Sequence, residues 1–428
     1  MADPRDNPAV DPAGAGPSPP NPPGATFAPF RYPAFRAIWS ANLFSQLGSS
    51  IQSIAAAWLM TDLTRSHSLV AAVQASATAP ILLIGVFAGA IADNFDRRRV
   101  MLAAQVAMLL CSAALATITA LGLIGPYGLL AFTLAVGTGT ALNAPAWQAS
   151  VRAQVGVRDL PQAISLNTIA LNLARSLGPA LGGGLVAALG VAAAFGINAV
   201  SFLAMIVVLW RWRPDVPAPV RRPMLTSIRA GLAFCAGSDP VRRILLRGLC
   251  VGIGAAALQS LLPVVIRDRL GAGELAFGLL LASFGLGSIA GALVVARLNR
   301  RFGAEVMVRT GAIAYAAAIL GLALIDRAVW LFPFIALGGM AFTFCFTTIN
   351  VAMQLRAPEA ILGRCMAIYQ SVSFGGMAIG AWLCGLLSDR VGITVALGLA
   401  ATFLLFITMV LGLLAPLPRP GEGVVLKR

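Results

Sequence analysis

Charge is what this chain has least of. Of its 428 residues 11% are charged and 58% are hydrophobic, whereas soluble domains carry roughly 25% charged residues. Too few polar groups remain to clothe a globule in water, so the solvent for most of the chain is lipid. Histidine is almost missing. His67 stands alone, which leaves a histidine-based metal site nothing to build on, and neither metal nor cofactor is expected. Cys111, Cys235, Cys250, Cys345, Cys365 and Cys384 form no C-x-x-C pair and read as small reduced hydrophobes. There is no glycine-rich phosphate loop followed by lysine, no nucleophilic triad and no pair of carboxylates at one depth. These absences argue against an enzyme and against an attached nucleotide-hydrolysing domain.

What the chain does have is apolar runs of bilayer-spanning length. They fall at approximately 37–60, 69–92, 100–122, 128–148, 161–188 and 192–210, then, after a polar interval, at 244–266, 275–296, 306–325, 329–352, 364–387 and 392–415. The expected fold is an all-α integral membrane protein with twelve transmembrane helices in two six-helix bundles. The expected divisions are a disordered Pro-rich tail (1–30), a first bundle (31–212), a central loop (213–241), a second bundle (242–416) and a short tail (417–428). Duplication is visible in the glycines: Gly85 and Gly89 recur 202 positions later as Gly287 and Gly291, and Gly178 and Gly183 recur at the same offset as Gly380 and Gly385.

A net charge of +15 would suggest nucleic acid in a soluble protein. Here the arginines sit in short links, so the expected partner is the lipid bilayer and no nucleic acid. Odd-numbered links hold only Arg65, Arg267, Arg269, Arg327 and Arg390, while the even links and termini hold most of the rest. The positive-inside rule then places both termini in the cytoplasm of a multi-pass protein of the cell inner membrane. Within the central link, Met224 to Gly237 is expected either as an amphipathic helix on anionic lipid or as a solvated loop.

The link after the second span runs Gly85-Val86-Phe87-Ala88-Gly89-Ala90-Ile91-Ala92-Asp93-Asn94-Phe95-Asp96-Arg97-Arg98-Arg99. It resembles the signature loop of the major facilitator superfamily, in which a glycine precedes an aspartate by four residues and basic residues follow. The resemblance implies a gating loop of Gly89, Asp93, Arg97 and Arg98, with glycines for close helix packing and the aspartate free to pair with arginine. Asp96 departs from the family's usual glycine. In the second half Val295 replaces the acid, leaving Arg297, Arg300 and Arg301. In the fifth span Gly178-Pro179-Ala180-Leu181-Gly182-Gly183 resembles the antiporter motif of the superfamily's exporters, with Ala174 where that pattern has an upstream glycine. This favours efflux.

Arg175 lies in the middle of the same span. An unpaired cation there costs at least about 2.5–3.5 kcal/mol on insertion scales, so it must face a cavity or a partner. No acid lies at mid-membrane. Its company must be carbonyls, amides such as Asn143, Asn167 or Asn172, water, or an anionic group on a substrate. Further polar residues inside spans are Asn42, Gln46, Gln52, Gln74, Gln259, Asn350 and Gln370. Interhelical bonding explains such amides in general. The superfamily resemblance nevertheless implies a central cavity, for which Arg175, Asn172, Asn143, Asn42, Gln46, Gln259 and Asn350 are the candidates.

The run Asn143-Ala144-Pro145-Ala146-Trp147-Gln148-Ala149, with Leu160, Asn172 to Arg175 and Gly178-Pro179, resembles the bacterial transmembrane secretion effector group, which includes enterobactin-exporter-like proteins. The likeness covers approximately residues 28–415. It implies a monomeric secondary active transporter that exports a small-molecule substrate (siderophore, drug or other metabolite) by alternating access, coupled to protons by antiport. Asp62 and Asp93 are the first-half acids available as proton carriers. A lysophospholipid transporter and a non-transporting sensor or scaffold are the alternatives.

Overall fold

The computed structural model describes residues 25–213, 224–358 and 361–417, apart from the side chains of residues 25, 26, 93, 157 and 224–227. Among these residues the chain forms thirteen α-helices and no strand. They are α1 (Pro33–Leu63), α2 (His67–Asn94), α3 (Arg97–Ala120), α4 (Pro126–Ser150), α5 (Leu160–Leu189), α6 (Val191–Arg211), α7 (Met224–Gly237), α8 (Asp239–Val264), α9 (Glu274–Phe302), α10 (Ala304–Leu324), α11 (Ala328–Gln354), α12 (Leu362–Val391) and α13 (Ile393–Leu414).

Local chemistry sets the boundaries. Proline enters the first turn of α1, α4, α5 and α8, where a missing N–H costs nothing. Asp96, out of pattern for the signature loop, caps α3 by accepting from the Arg99 N–H at 3.2 Å. Gly190 and Gly392 each join two helices through a one-residue link at φ +80° and +86°, a region closed to most other residues. They too stand 202 positions apart. Arginines close helix C-termini. The Arg98 guanidinium donates to the carbonyls of Leu209 and Trp210 at the end of α6, both at 2.8 Å, and Arg269 donates to those of Ala323 and Ile325 at the end of α10. Both satisfy carbonyls that lack intrahelical donors.

Among the described residues ten helices are long and apolar enough to cross a membrane. Helices α1 and α5, of 31 and 30 residues, have the length, but Asn42, Gln46, Gln52, Asn167, Asn172 and Arg175 lower their hydropathy. A count of twelve spans is compatible with this, and the two more polar helices are those that supply the interior. Helix α7 departs from expectation: it packs on α2, α8 and α12, with Cys235 only 3% exposed, and does not lie free on a surface. Burial, helped by the neighbouring Cys365, pushes the Cys235 thiol up to about 12. Of the expected disordered tail, residues 1–24 lie outside the described residues, as do 214–223 of the central loop and 418–428 of the C-terminal tail. Ala25–Arg31 is a 3₁₀ turn because the Phe30 ring finds Trp39 and Phe35 at 5.0 and 5.7 Å.

Helices α1–α6 and α8–α13 make the two bundles, meeting along α2–α12 and α5–α9. Two of the repeated glycine pairs, Gly178/Gly380 and Gly183/Gly385, fall at equivalent crossings, whereas Gly85/Gly287 and Gly89/Gly291 do not. A Cβ on Gly178 would lie 2.4 Å from Ser50 Cβ of α1, and one on Gly380 would lie 2.2 Å from the Ile253 carbonyl oxygen of α8, both within a bundle. Gly183 meets Glu274 and Gly278 of α9, while Gly385 meets Ser68 and Ala71 of α2, both between bundles. The duplication is therefore present in the contacts as well as in the spacing.

Candidate substrate cavity and gate

The links α1–α2 and α12–α13 lie at one end of the molecule, called here the His67 rim; the link α2–α3 lies at the other, the Arg97 rim. Between the bundles a cavity of about 190 Å³ lies in the half nearer the His67 rim. Its walls include Ser49, Gln52 and Ser53 of α1, Gln74 of α2, Thr133 and Thr140 of α4, Asn198 of α6, and Gln259 and Ser260 of α8. Polar groups come mainly from the first bundle. In the second bundle Phe342 and Phe346 of α11 stack at 4.2 Å and, with Phe374 and with Ala75 of α2, pack against Ala256, Met377 and Ala381.

Gln259 is the one expected cavity residue in this wall. Asn42 and Gln46 lie seven residues before Ser49 and Ser53, so they continue the same face of α1 toward the Arg97 rim, and Asn143 extends the Val136 and Thr140 face of α4 in the same way. Asn143 Oδ1 and Asn167 Oδ1 are buried without a hydrogen-bond donor among the described residues. Asn350 accepts from Gln354 Nε2 at 2.7 Å and so is engaged within its own helix. Asn198, which sequence reasoning missed, is fully buried and donates to Gln52 Oε1 at 2.7 Å, where Ser112 Oγ also donates at 2.8 Å. Gln52 thus ties α1 to α3 and α6. A lone amide in an apolar helix offers no signal that distinguishes such a tie from a ligand contact.

Helix α5 carries the deepest charge. Leu173, Leu177 and Leu181 form its exposed leucine stripe. Arg175 is two residues from both Leu173 and Leu177, about 200° around the helix, and so points away from lipid, into the space between bundles. Asn172 lies half-buried beside it. On the Arg175 face, Ile164, Thr168 and Arg175 are exposed, whereas Gly182 and Val186, seven and eleven residues further on, are buried. The cleft therefore has its floor near Gly182 and widens toward the Arg97 rim. The opposing helices splay in the same sense. Positions Ser165 and Ile169 on α5, and Ala292 and Ala296 on α9, continue the touching faces at spacings of seven and eleven, yet all four are exposed. Among the described residues α4 and α11 have no extensive packing on each other.

The His67 rim is sealed. Within the antiporter-like motif, Gly183 and Gly278 touch backbone to backbone: a Cβ on Gly183 would lie 2.6 Å from the Glu274 carbonyl oxygen and 2.9 Å from Gly278 Cα. The buried Pro179 belongs to the same crossing, and a Cβ on Gly278 would lie 2.5 Å from its carbonyl oxygen. Asp62 is ion-paired with Arg267, which also donates to Thr61 Oγ1 at 2.8 Å. Asp389 of α12 accepts from the backbone N–H groups of His67 at 2.7 Å and Ser68 at 3.0 Å, and from Ser66 Oγ at 3.0 Å. One bundle thereby caps the N-terminus of a helix in the other, where the helix dipole favours an anion. His67 completes the lock: its Nδ1 is 2.8 Å from Ser388 Oγ and its Nε2 is 3.5 Å from Asp268. Sequence reading saw His67 only as a missing metal ligand.

The signature loop is arranged differently from expectation. Gly89 has open space where a Cβ would stand, so no helix approaches there. Arg97 donates to the Ala149 carbonyl at 3.0 Å and Arg98 to the end of α6, which makes both of them caps within the first bundle. The Asp93 side chain lies outside the described residues.

Comparison with known proteins agrees with this architecture. The enterobactin exporter EntS of Citrobacter koseri is 29% identical over 367 residues, covering 83% of this chain and 85% of its own, and that of Salmonella typhimurium is 27% identical over 364 residues with the same coverage. Among solved structures, the nucleoside transporter NupG superposes with a TM-score of 0.70 at 12% identity, over 88% of this chain and 98% of its own. A bacterial homologue of the human lysosomal transporter Spinster, inward-facing and occupied, gives 0.73 at 13% identity over 92% and 99%. The family model for transmembrane secretion effectors matches residues 24–424, and the chain, with its major facilitator fold, belongs to that family.

Proposed function

We propose that this protein exports a small organic solute from the cytoplasm by alternating access, and that the structure is its cytoplasm-open state. The observation that carries this is the Arg175 face of α5, buried toward the His67 rim and exposed toward the Arg97 rim. Arg97, Arg98, Arg99, Arg152, Arg158, Arg297, Arg300 and Arg301 surround the open rim, which by the positive-inside rule faces the cytoplasm. The cleft therefore loads from inside, and its floor is the outer gate. The cavity polar groups, with Asn42, Gln46, Asn143, Asn172 and Arg175 continuing them, form the substrate path. The relatives' names support an exported solute of siderophore type.

Proton antiport is the coupling we assign. Asp62 is committed to the Arg267 latch, so Asp93 is the remaining first-half candidate to carry the proton. A strain lacking the gene should lose one or more solutes from its medium and accumulate them inside, with expression restoring both. A protonophore should abolish that restoration. Unchanged medium would remove export, and protonophore-resistant export would remove proton coupling alone. Deleting residues 1–24 should leave export intact, which separates a carrier from a scaffold acting through its tail.

A further inference from the structure

Among the described residues, the interior carries a single sign of charge. Arg175 stands about 22 Å along a helix some 45 Å long, far from either end. It is enclosed by the surrounding helices yet reachable by solvent, as befits a side chain standing in an open cleft. Among the described residues it has neither an ion pair nor a hydrogen bond. The acids of the described chain lie at the rims: Asp62, Asp268, Glu274, Asp326 and Asp389 at one, Asp96, Asp159, Asp239 and Glu305 at the other. The other deep arginine shows what a structural cation looks like here. Arg247, 1% exposed, is neutralised by Glu305 at 3.0 Å and also donates to the Leu411 carbonyl at 2.7 Å and the Ala415 carbonyl at 3.1 Å. Arg175 has no such set.

A guanidinium deep in a membrane cleft without a counter-ion attracts negative charge strongly, because low-dielectric walls focus its field. Its planar donors match a carboxylate, phosphate or sulfonate in two parallel hydrogen bonds. Asn143 on α4 and Asn167, eight residues before Arg175 on α5, carry acceptor oxygens without donors among the described residues, which suit hydroxyl or amide hydrogens on the same ligand.

We propose that the exported solute is an organic anion whose acidic group is held by Arg175. This rests on the export reading above and names its substrate class. The anionic group could belong to a soluble metabolite or to a lipid headgroup, and the test treats the two separately.

The test compares the medium and the lipid extract of cells lacking the gene, complemented with wild type, Arg175→Gln or Arg175→Lys, after fractionating solutes by charge at pH 7. The solutes lost on deletion should be anionic, restored by wild type, not by Arg175→Gln, and in part by Arg175→Lys, which keeps a point charge. In inverted vesicles the purified anion should show a KM raised about 10- to 100-fold by Arg175→Gln, the span expected for losing a charged hydrogen bond. Anions in the aqueous fraction identify a soluble substrate; changes confined to the lipid extract identify an anionic lipid. Neutral or cationic solutes, or full restoration by Arg175→Gln, overturn the proposal and leave export standing. If Arg175→Gln does not accumulate in the membrane, Arg175→Lys and the charge of the lost solutes decide alone. No difference between the strains removes the export reading itself.

Discussion

Replacing Gly183 by alanine adds one methyl group at a crossing of the two bundles, and the structure says what that methyl meets. The new Cβ would stand 2.6 Å from the Glu274 carbonyl oxygen, 2.9 Å from Gly278 Cα and 3.1 Å from Gly278 N. All three are backbone atoms, so no side chain can rotate away. Ordinary carbon contacts lie at about 3.5–4.0 Å, which requires α5 and α9 to separate by about 1 Å. Overpacking of this kind costs about 1–3 kcal/mol. The cost falls on the sealed state alone, because these helices part at the His67 rim when the outer gate opens. Sealed and open populations should shift by about 5- to 150-fold, so that a 99:1 equilibrium moves to between about 95:5 and 40:60.

Spin labels at Arg65→Cys and Arg327→Cys, both on exposed links of the His67 rim, would read the outcome as a longer component in their distance distribution. A second pair at Arg152→Cys and Arg297→Cys, across the Arg97 rim, should move in the opposite sense. Gly385→Ala, whose Cβ would lie 2.7 Å from Ser68 Cα on the equivalent α12–α2 crossing, should reproduce the effect. An unchanged distribution in Gly183→Ala would show that the crossing has slack and is no seal. Broadening of both pairs in the same sense would mean general loosening and would equally refute the reasoning.

Asp389→Asn keeps the shape of the cap but loses the charge facing the α2 N-terminus; caps and dipole contacts are each worth about 1 kcal/mol, so the same His67-rim labels should show a several-fold gain in the open component, and no gain would mean the cap is incidental. Glu305→Ala leaves the buried Arg247 without its acid, which should lower the thermal midpoint in detergent as expected for a loss of about 3–5 kcal/mol; Arg247→Met on top of it should recover most of the loss, and additive losses would show the two are uncoupled. Cys235, with its thiol pushed up to about 12 from an ordinary 9.0, stays protonated through the physiological range. Because the thiolate is the nucleophile, labelling by maleimide at pH 7.5 should be about a thousandfold slower than at a cysteine replacing the exposed Arg229 and should keep rising about tenfold per pH unit past the point where that reference levels off; comparable rates at pH 7.5 would show that α7 does not bury it.

Hydropathy and arginine spacing reveal the helices because both follow from the solvent each segment meets, and that information is local. The crossings Gly178–Ser50 and Gly380–Ile253 were half legible: the shared offset marked the residues but not what they touch. The outer lock was illegible for a physical reason. Asp389 serves the backbone of residues more than 300 positions away, and a backbone N–H has no sequence signature. The signature loop shows the converse limit. A family pattern marked Arg97 and Arg98 for gating, while their hydrogen bonds in this state go to carbonyls of α4 and α6, groups that any sequence provides. In the sequence Asp62 is a proton-carrier candidate only because mid-membrane acids are missing, and only the fold shows that Arg267 of the other bundle stands opposite it.

The register of the α5–α9 crossing also defines the state not seen. These helices run antiparallel, with Gly183 against Gly278 and Ser176 against Gly285. Stepping seven and eleven residues toward the Arg97 rim from Ser176 and Gly285 pairs Ile169 with Ala292 and Ser165 with Ala296. In this structure all four are exposed. Alanine and serine are small enough to allow the close approach that glycine gives at the other rim, so rocking one bundle against the other would bring Ser165 and Ala296 together without any new surface. In this state the α2–α12 pair is in contact from His67–Ser388 to Gly85–Ser371, which leaves α5–α9 as the jaw at the Arg97 rim. The double variant Ser165→Cys, Ala296→Cys, in a background without the native cysteines, should form a disulfide under oxidation only when the inner gate closes, since bridging needs Cα atoms within about 7 Å. Its formation should stop transport, and reduction should restore it. A disulfide that leaves transport running would show that these faces do not part during the cycle, and the jaw would then have to be sought between α4 and α11.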